Sequence, residues 1–329
     1  RHGLDYYPKW LGAVPFTPIP GPRLLGRDDG ARRELLAALL GQARESGLSS
    51  LHLLFPLDTE RALLEAAGLM IREGVQFHWE NPPASANEPA SPGAGTARSV
   101  PPRRWAGFED FLASLASSKR KKIRQERRRA AAHGLHLQWL DGHEARDEDW
   151  AFFAHCYATT YALHRSTPYL SADFFLRLAH SMPKAVRLLV ARRDGHPVAA
   201  AFFLCDREAL YGRYWGCIED LPFVHFELCY YQAIEYCLEH GLARFEGGAQ
   251  GEHKLARGLL PVRTYSAHWL ADARFRGAVD DWLARERAGV SHYLDELAEH
   301  SPFRHDTDAA GSAGTGQTAD AERAPPPPR

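Results

Sequence analysis

Residues 243–268, ARFEGGAQGEHKLARGLLPVRTYSAH, join a short apolar segment to a glycine-rich loop and a dense group of charged side chains. The apolar segment predicts a strand that ends at Glu246, and the glycines after it allow the backbone to approach a ligand closely. These glycines are Gly247, Gly248 and Gly251. The charged residues that follow are Glu252, His253, Lys254, Arg257 and Arg263. Such a concentration of titratable groups is typical of a functional site, although a solvated loop with ordinary surface charges is the alternative.

The composition of the chain is that of a globular protein. Its 329 residues are 45% hydrophobic and carry a formal net charge of -1, which predicts about two domains. The sequence contains no run of about 18 apolar residues, so we expect no membrane-spanning helix. Five cysteines without a CxxC spacing argue against a disulfide framework or a zinc site and favour a reducing compartment. We therefore expect a cytoplasmic protein without a metal ion. Because no initiator Met precedes Arg1, we also expect the start to lie within a longer chain.

The first part of the chain alternates between predicted strands and helices. Prolines and glycines in residues 6–25 exclude a helix there and favour strands joined by turns. The spacing of apolar residues predicts helices at 28–46 and 58–67, and apolar runs predict strands at 51–55 and 70–79. This order of elements predicts an α/β layer.

A second pattern follows residues 81–104, which are rich in Pro, Ala, Ser and Gly. We interpret that segment as a flexible linker, and residues 304–329 as a disordered tail. The helices predicted between them cover 108–132 (as one helix or two in succession), 150–161, 173–180, 223–240 and 274–300. The predicted strands cover 185–192, 197–206, 209–217, 243–245 and 264–270. Pro222 is expected at the first position of the long helix 223–240.

The most basic part of the chain is residues 119–129, KRKKIRQERRR. In a helix, Lys121, Arg124 and Arg128 share one face, and Ile123 is nearly the only apolar contact. An anionic ligand, a phosphate or a nucleic-acid backbone would explain why such a helix is ordered. The alternative is a solvated charged face.

Four sequence strings together resemble one protein family. They are QFHWEN (76–81), YGRYWG (211–216), HFELCYYQAIEYC (225–237) and FEGGAQGEHKLARG (245–258). They resemble the bacterial FemAB-like branch of the GNAT acyltransferase superfamily, over roughly residues 6–303 apart from 82–104. The resemblance implies an α/β (α+β) fold of two tandem GNAT-like units. It places the C-terminal part of a first unit, truncated at its N-terminus, in 1–80, and the second unit in 105–303.

The resemblance also implies a transferase that joins an acyl or aminoacyl group to an amine. Characterised relatives use aminoacyl-tRNA and a UDP-linked or lipid-linked muropeptide, so the expected partners are an anionic small-molecule or lipid-linked muropeptide substrate and tRNA. No tightly bound cofactor is implied, and the acyl donor is a co-substrate, either aminoacyl-tRNA or acyl-CoA. The acyl-CoA pyrophosphate loop of GNAT enzymes is not evident before the long helix, which disfavours acetyl-CoA. The alternatives are a non-catalytic module that binds peptidoglycan precursors or tRNA, and an acetyl-CoA-dependent N-acetyltransferase.

Amide formation from an activated ester requires a base for the amine, donors for the oxyanion and groups that hold both substrates. The candidate catalytic residues are Glu246, Glu252, His253 and Lys254. We favour one of the two glutamates as the base, because a carboxylate shielded beside an apolar strand can have a raised pKa; an ion pair with Lys254 or Arg257 is the alternative role. Lys254 could stabilise the oxyanion or bind phosphate. The candidate substrate-binding residues are Lys121, Arg124, Arg128, His164, Tyr214, His225 (also a candidate base), Glu227, Gly247, Gly248, Arg257 and Arg263.

Overall fold

The computed structural model describes residues 7–81, 105–249 and 251–304. Nearly all of the predicted linker and tail lie outside these residues. The described strands form one nine-stranded sheet in the order β1-β2-β9-β3-β8-β7-β6-β5-β4. The sheet is mixed, because β1 is parallel to β2 and β7 to β8 while the other neighbours are antiparallel.

The first part of the chain contains three strands and two helices. In chain order they are β1 (Lys9–Gly12), α1 (Asp29–Glu45), β2 (Ser50–Leu54), α2 (Asp58–Ala66) and β3 (Met70–Glu80). Helix α1 begins after Asp28, whose carboxylate accepts a hydrogen bond from the N–H of Ala31 at 2.8 Å. This is an ordinary N-cap, and it explains why the sequence prediction of α1 agrees with the structure to within a residue or two.

The second part contains the remaining elements. The helices are α3 (Phe108–Ser114), α4 (Ser117–Ala131), α5 (Asp147–Leu163), α6 (Ala172–Ser181), α7 (Val224–Phe226), α8 (Gln232–Glu239) and α9 (Ala273–Glu299). The strands are β4 (His136–Asp141), β5 (Val186–Arg193), β6 (His196–Cys205), β7 (Ala209–Cys217), β8 (Arg244–Glu246) and β9 (Leu260–Leu270). The sequence prediction omits β4, an edge strand in which polar and apolar residues are mixed.

The structure differs from the predicted long helix 223–240 in two respects. A π-helical turn, Glu227–Tyr231, separates α7 from α8. The helix begins at Val224 after Phe223, which has a left-handed backbone conformation with φ 70°. Pro222 therefore precedes the cap and does not occupy the first helical position. π-helical turns inside helices often occur at functional sites, because they change which side chains face each side.

The last strand, β9, lies between β2 and β3 and is antiparallel to both. It begins at Leu260, earlier than the predicted start at residue 264. The prediction is too short because Pro261 argues locally against a strand, whereas the structure pairs Pro261 with Phe77. Through β9, the C-terminal part of the chain completes the sheet of the N-terminal part.

Both faces of the sheet are apolar at its centre. Along β6, Ala201 and Phe203 belong to a core cluster with Leu228 and Ile234 of the helical segment 224–239. Ala200 and Phe202 point to the opposite face, where they join a cluster under α5 and α6. A third cluster packs α1 and α2 against β2 and β9. The first of these clusters covers one face of the sheet where β7 and β8 meet, through Leu210 and Phe245.

Candidate functional site

Strands β7 and β8 separate at one point of the sheet. Their parallel pairing ends at Tyr211 and Glu246, although β7 continues to Cys217. The register between β6 and β7 also shifts at Phe202 and Phe203, where β7 carries an extra residue, and such a bulge increases the local twist. The result is a cleft of about 120 Å³, which we call the β7/β8 cleft. Its lining includes Gly212, Arg213, Tyr214, Trp215, His225, Cys229, Tyr230, Phe245 and Gly247.

The helical side of the β7/β8 cleft carries His225 and Tyr230. The His225 ring lies against Trp215 with a centroid distance of 4.5 Å. Burial, with smaller effects of His253, Arg257 and Lys254, lowers the pKa of His225 to about 4, so the imidazole is neutral at pH 7. The Tyr230 hydroxyl lies 3.0 Å from Nε2 of His253. The structure therefore places His225 in the lining of the cleft and the exposed His253 beside Tyr230.

Gly247 forms part of the cleft wall, but its N–H does not point into the cleft. That N–H donates to the carbonyl oxygen of Phe77 at 2.9 Å, and the Phe77 N–H donates to the carbonyl of Gly248 at 3.0 Å. A Cβ at Gly247 would collide with Leu259, so close packing explains this glycine. This geometry does not favour the Gly247 N–H as an oxyanion donor. For Gly248, with φ 76°, the role stays a prediction.

Lys254 is buried and holds the glycine-rich loop. Its ammonium group donates to the carbonyls of Gly247 at 2.8 Å, Ala249 at 2.9 Å and Gly248 at 3.4 Å. Burial lowers its pKa to about 8. Because an ammonium group has three donors, these bonds leave none for an oxyanion or a phosphate. The geometry indicates that Lys254 positions the loop rather than contacting a substrate.

Glu246 is a buried carboxylate with one occupied and one free oxygen. Oε1 accepts a hydrogen bond from Nε of Arg244 at 2.9 Å, whereas Oε2 is buried and has no hydrogen-bond partner among the described residues. Nε2 of His78 lies 3.9 Å from Oε2. Burial raises the pKa of Glu246, although Arg244 opposes the shift. A buried polar atom without a partner is costly, and it is often explained by an absent ligand or water.

Two residues beside the Glu246 carboxylate, Arg244 and His78, are missing from the candidates predicted from the sequence. His78 is buried, and its Nε2 lies 3.0 Å from Oε1 of Gln76. Burial and the cations Arg244 and Lys254 lower its pKa to about 3, so it is neutral at pH 7. The signal for His78 was present in QFHWEN, where Gln76 and His78 alternate along one face of a strand.

Glu252, the other candidate base, does not share the buried position of Glu246. It is exposed at the start of the 3₁₀ helix Glu252–Arg257, and its charge raises the pKa of Tyr293 on α9 after the larger effect of burial. Unlike Glu246, it is not shielded from water. The structure therefore separates the two glutamates that the sequence treats alike.

Arg257 is buried and fully engaged by protein groups. It donates from Nη2 to both oxygens of Glu126 at 2.7 and 2.9 Å, and from Nε to the Tyr231 hydroxyl at 3.0 Å. Nη1 donates to the carbonyl of His253 at 2.6 Å, and the guanidinium lies 3.6 Å from the centroid of Phe226. This arrangement does not favour substrate binding by Arg257. It connects α4 to the 3₁₀ helix and to the π-helical turn.

The basic helix α4 lies against the opposite side of the π-helical turn. Arg127 forms ion pairs with Glu227 at 2.9 Å and Glu235 at 2.7 Å, and Arg124 pairs with Glu109. Lys121 and Arg128 are exposed and have no hydrogen-bond or ion-pair partner among the described residues. Helix α4 therefore does not need the external anion that the sequence suggests in order to be ordered. Ile123, Glu126 and Ala130 are buried against the protein.

A second cleft, the α4 groove, lies between α3, α4 and the π-helical turn and has a volume of about 480 Å³. Of the predicted substrate-binding residues, Arg124, Arg128 and Glu227 line it. The prediction placed Glu227 beside the same strand ends as His225, but the π-helical turn directs Glu227 towards α4.

The remaining predicted residues are dispersed. Tyr214 lines the β7/β8 cleft, and its hydroxyl lies 3.2 Å from the carbonyl of Phe16. His164 is exposed at the C-terminal end of α5. Arg263 pairs with Glu73 and contacts Ser291 on α9. Neither His164 nor Arg263 lines the β7/β8 cleft.

Residues 7–81, 105–249 and 251–304 contain no group of three or more His, Cys, Asp or Glu side chains arranged to hold a metal ion. Among the helices that the structure describes, none is both long enough and apolar enough to cross a membrane.

Solved structures with a similar fold include two named proteins. L-PGS from Bacillus licheniformis superimposes with a TM-score of 0.53 at 11% identity, over 79% of each chain. FemX superimposes with a TM-score of 0.50 at 12% identity, over 82% of this chain and 85% of FemX. At these identities the similarity concerns the fold alone. It confirms the predicted mixed α/β fold, of the kind found in FemX.

Sequence comparison gives a narrower result. No curated protein sequence matches the chain. A family model described as FemAB-like, peptidoglycan biosynthesis/recognition, matches residues 1–88 and 99–305. This match covers nearly the whole chain and confirms the resemblance inferred from its four sequence strings. The chain belongs to the FemAB-like family.

Proposed function

We propose that the protein is a transferase that moves an acyl or aminoacyl group from an activated ester to an amine, with its active site at the point where β7 and β8 separate. The observation that carries this proposal is the separation of β7 and β8 after Tyr211 and Glu246. It places Glu246, a buried carboxylate with a raised pKa, between the cleft-lining Phe245 and Gly247 on β8, where its side chain lies on the opposite face of the strand from theirs, and it places a neutral His225 within the cleft. Perturbed groups of this kind concentrate at catalytic sites.

The free Oε2 of Glu246 is suited to the role of general base. In the proposed reaction, it accepts a proton from the amine as the nitrogen attacks the ester carbonyl. A C–N bond forms, the tetrahedral intermediate collapses, and the C–O bond to the donor breaks while the leaving oxygen takes up a proton. Arg244 holds the carboxylate in place through Oε1, and a raised pKa makes a carboxylate a stronger base.

The open edge of β7 is suited to hold an extended substrate. Beyond Tyr211, β7 is not paired with β8, so its backbone can hydrogen-bond an extended chain as another strand would. Gly212 lets β7 pack closely against Phe245 here, and the hydroxyl of Tyr230, which contacts His253, lies in the cleft lining. A short aminoacyl or peptide segment fits such an edge, which supports an amine acceptor on a peptidoglycan precursor, including a lipid-linked muropeptide.

We infer that the donor is an aminoacyl-tRNA and that the reaction takes place in the cytoplasm. The exposed cations of α4, including Lys121 and Arg128, support this proposal, because phosphate backbones bind to unpaired Lys and Arg side chains. Helix α4 packs on both the π-helical turn and the 3₁₀ helix, so a polyanion on α4 would lie close to the β7/β8 cleft. The donor acts as a co-substrate rather than as a bound cofactor.

The experiment supplies the purified protein with one donor at a time, aminoacyl-tRNA or acetyl-CoA, and with a UDP-linked or lipid-linked muropeptide as acceptor. Mass spectrometry then detects the new amide. We expect product with aminoacyl-tRNA at a rate that falls with salt, and a lower and less salt-dependent rate for the double variant Lys121→Ala/Arg128→Ala. A matched control is Arg177→Ala on the exposed surface of α6. Product with acetyl-CoA alone, or no product with either donor, contradicts the proposal.

A further inference from the structure

A third cleft lies at the far end of α8 from the β7/β8 cleft. It has a volume of about 340 Å³ between the edge strand β4, strand β5 and the last turn of α8, and we call it the α8 cleft. Its lining residues are Trp139, Leu140, Asp141, Glu144, Arg187, Tyr236, Glu239 and His240. Because His225 and Tyr230 precede α8 in the chain whereas these residues lie at its other end, the α8 cleft is separate from the proposed active site.

Three aromatic rings form one wall of the α8 cleft. Tyr236 is buried, and its ring centroid lies 4.5 Å from that of Trp139 and 3.9 Å from that of His240. Nδ1 of His240 donates to the carbonyl of Tyr236 at 2.9 Å, which fixes the orientation of its ring. Tyr236 lies between the other two rings, so the exposed His240 presents the ring face that is open to a ligand, and the faces of aromatic rings attract organic cations because they carry negative charge.

Three carboxylates surround this wall and retain capacity to bind a ligand. Glu239 has no hydrogen-bond or ion-pair partner among the described residues. One oxygen of Asp141 accepts the N–H groups of His143 and Glu144, and one oxygen of Glu144 accepts the N–H of Asp141. These bonds hold the two side chains in a turn, and in the described residues the second oxygen of each has no partner. The α8 cleft therefore combines aromatic side chains with carboxylate oxygens that accept no hydrogen bond from the described residues.

The one arginine in the α8 cleft is held by the protein. Nε of Arg187 donates to the Tyr236 hydroxyl at 2.6 Å, and Nη1 donates to the carbonyls of Lys184 at 2.9 Å and Val186 at 2.7 Å. Asp141 lies opposite Arg187 in the pairing of β4 and β5. With three carboxylates and one guanidinium, the lining has an excess of negative charge.

We propose that the α8 cleft binds a small organic molecule through a primary ammonium group. The aromatic wall contacts the ammonium and its adjacent methylene groups, and Glu239, Glu144 and Asp141 accept its hydrogen bonds. Two sources supply this chemistry, a simple diamine and a zwitterionic amino acid with a side-chain ammonium. In the second case Nη2 of Arg187, which has no partner among the described residues, receives the carboxylate.

The test measures binding by isothermal titration calorimetry with 1,4-diaminobutane, with lysine, and with 1,4-butanediol as the uncharged control. We expect at least one ammonium compound to bind and the diol not to bind. The double variant Glu144→Gln/Glu239→Gln is expected to weaken binding about tenfold, because it removes two charges without changing side-chain size. The matched control is Glu299→Gln, since Glu299 is also an exposed glutamate in the last turn of a helix.

Comparison of the two ligands identifies the source of the ammonium group. Tighter binding of lysine that is lost in Arg187→Gln indicates an amino acid, and tighter binding of the diamine indicates a polyamine. Binding of the diol as strong as that of both ammonium compounds overturns the proposal. An affinity of Glu144→Gln/Glu239→Gln equal to that of Glu299→Gln also overturns it. Because binding is measured without any acyl donor, these outcomes do not depend on the proposed transfer reaction.

Discussion

At the scale of single residues, burial distinguishes side chains that look equivalent in the sequence. Glu246 and Glu252 are both glutamates beside glycines, yet the first is buried with a free oxygen and the second is exposed. The alternation of β8 predicts which face carries Glu246. It cannot predict that His78 lies opposite Glu246, because that contact depends on the pairing of β3 with β8, which are distant in sequence. The sequence therefore predicts a candidate site at Glu246, but not the contacts of its carboxylate.

Lys254 gives a prediction about the loop that borders the β7/β8 cleft. We expect Lys254→Met to lower the free energy of unfolding by about 2 kcal/mol, because three loop carbonyls lose a buried donor. Urea denaturation measures this change, and Lys184→Met, at an exposed lysine, is the control. Equal stability of the two variants would show that Lys254 does not hold the loop.

At the scale of elements, the sequence predicts the bounds of the helices more accurately than the contacts that the helices make. The boundaries of α1, α2 and α6 follow from caps and apolar spacing, which are local. The contacts of α4 are not local: Glu126 meets Arg257, and Arg127 meets Glu227 and Glu235. A charged helix that appears in the sequence to need an external anion is thus ordered by ion pairs inside the protein.

Glu126 provides the test of this account of α4. We expect Glu126→Gln to lower the free energy of unfolding by about 3 kcal/mol, because Arg257 is left as a buried charge without a counter-charge. The control is Glu109→Gln, which removes an exposed ion pair of the same helix. Urea denaturation of both variants is the measurement. A loss for Glu126→Gln no larger than for Glu109→Gln would contradict the account.

The pairing of β2 with β9 predicts a dependence of stability on pH. His52 and His268 lie opposite each other with their Nδ1 atoms 2.8 Å apart. Burial, with smaller effects of His52 and Arg72, lowers the pKa of His268 from 6.5 to about 4. Between these values the unfolded chain binds more protons than the folded one, so the free energy of unfolding falls as the pH falls.

We therefore expect His268→Gln to lose less stability than the parent protein between pH 7 and pH 5. The exposed His292 supplies the control, His292→Gln, which should keep the pH dependence of the parent. Urea denaturation at the two pH values measures both. An unchanged pH dependence of His268→Gln would show that this histidine is not protonated on unfolding.

At the scale of the whole molecule, the fold class follows from the order of elements, but the strand order does not. Alternating strands and helices predict an α/β fold, which is confirmed. The insertion of β9 between β2 and β3 could not be predicted, because strand neighbours depend on contacts between distant segments rather than on local pattern. The predicted boundaries of the two units stay predictions. In the structure, β9 joins both parts of the chain in one sheet.

This shared sheet predicts that the two parts of the chain remain together when the connection between them is cut. A protease site introduced between residues 81 and 105 should yield fragments that co-elute in size-exclusion chromatography, because β9 stays paired with β2 and β3. The uncut protein should unfold in a single transition seen alike by circular dichroism and tryptophan fluorescence. Separation of the fragments without denaturant would contradict the single sheet.

The central claim is that Glu246, and not Glu252, is the base of an amide-forming reaction at the point where β7 and β8 separate. The most direct test measures product formation and donor binding for Glu246→Gln and Glu252→Gln, with the parent protein as reference. We predict that Glu246→Gln forms product at least about 100-fold more slowly while it binds the donor normally, and that Glu252→Gln behaves like the parent. Undiminished product formation by Glu246→Gln, or a loss confined to Glu252→Gln, would contradict the claim.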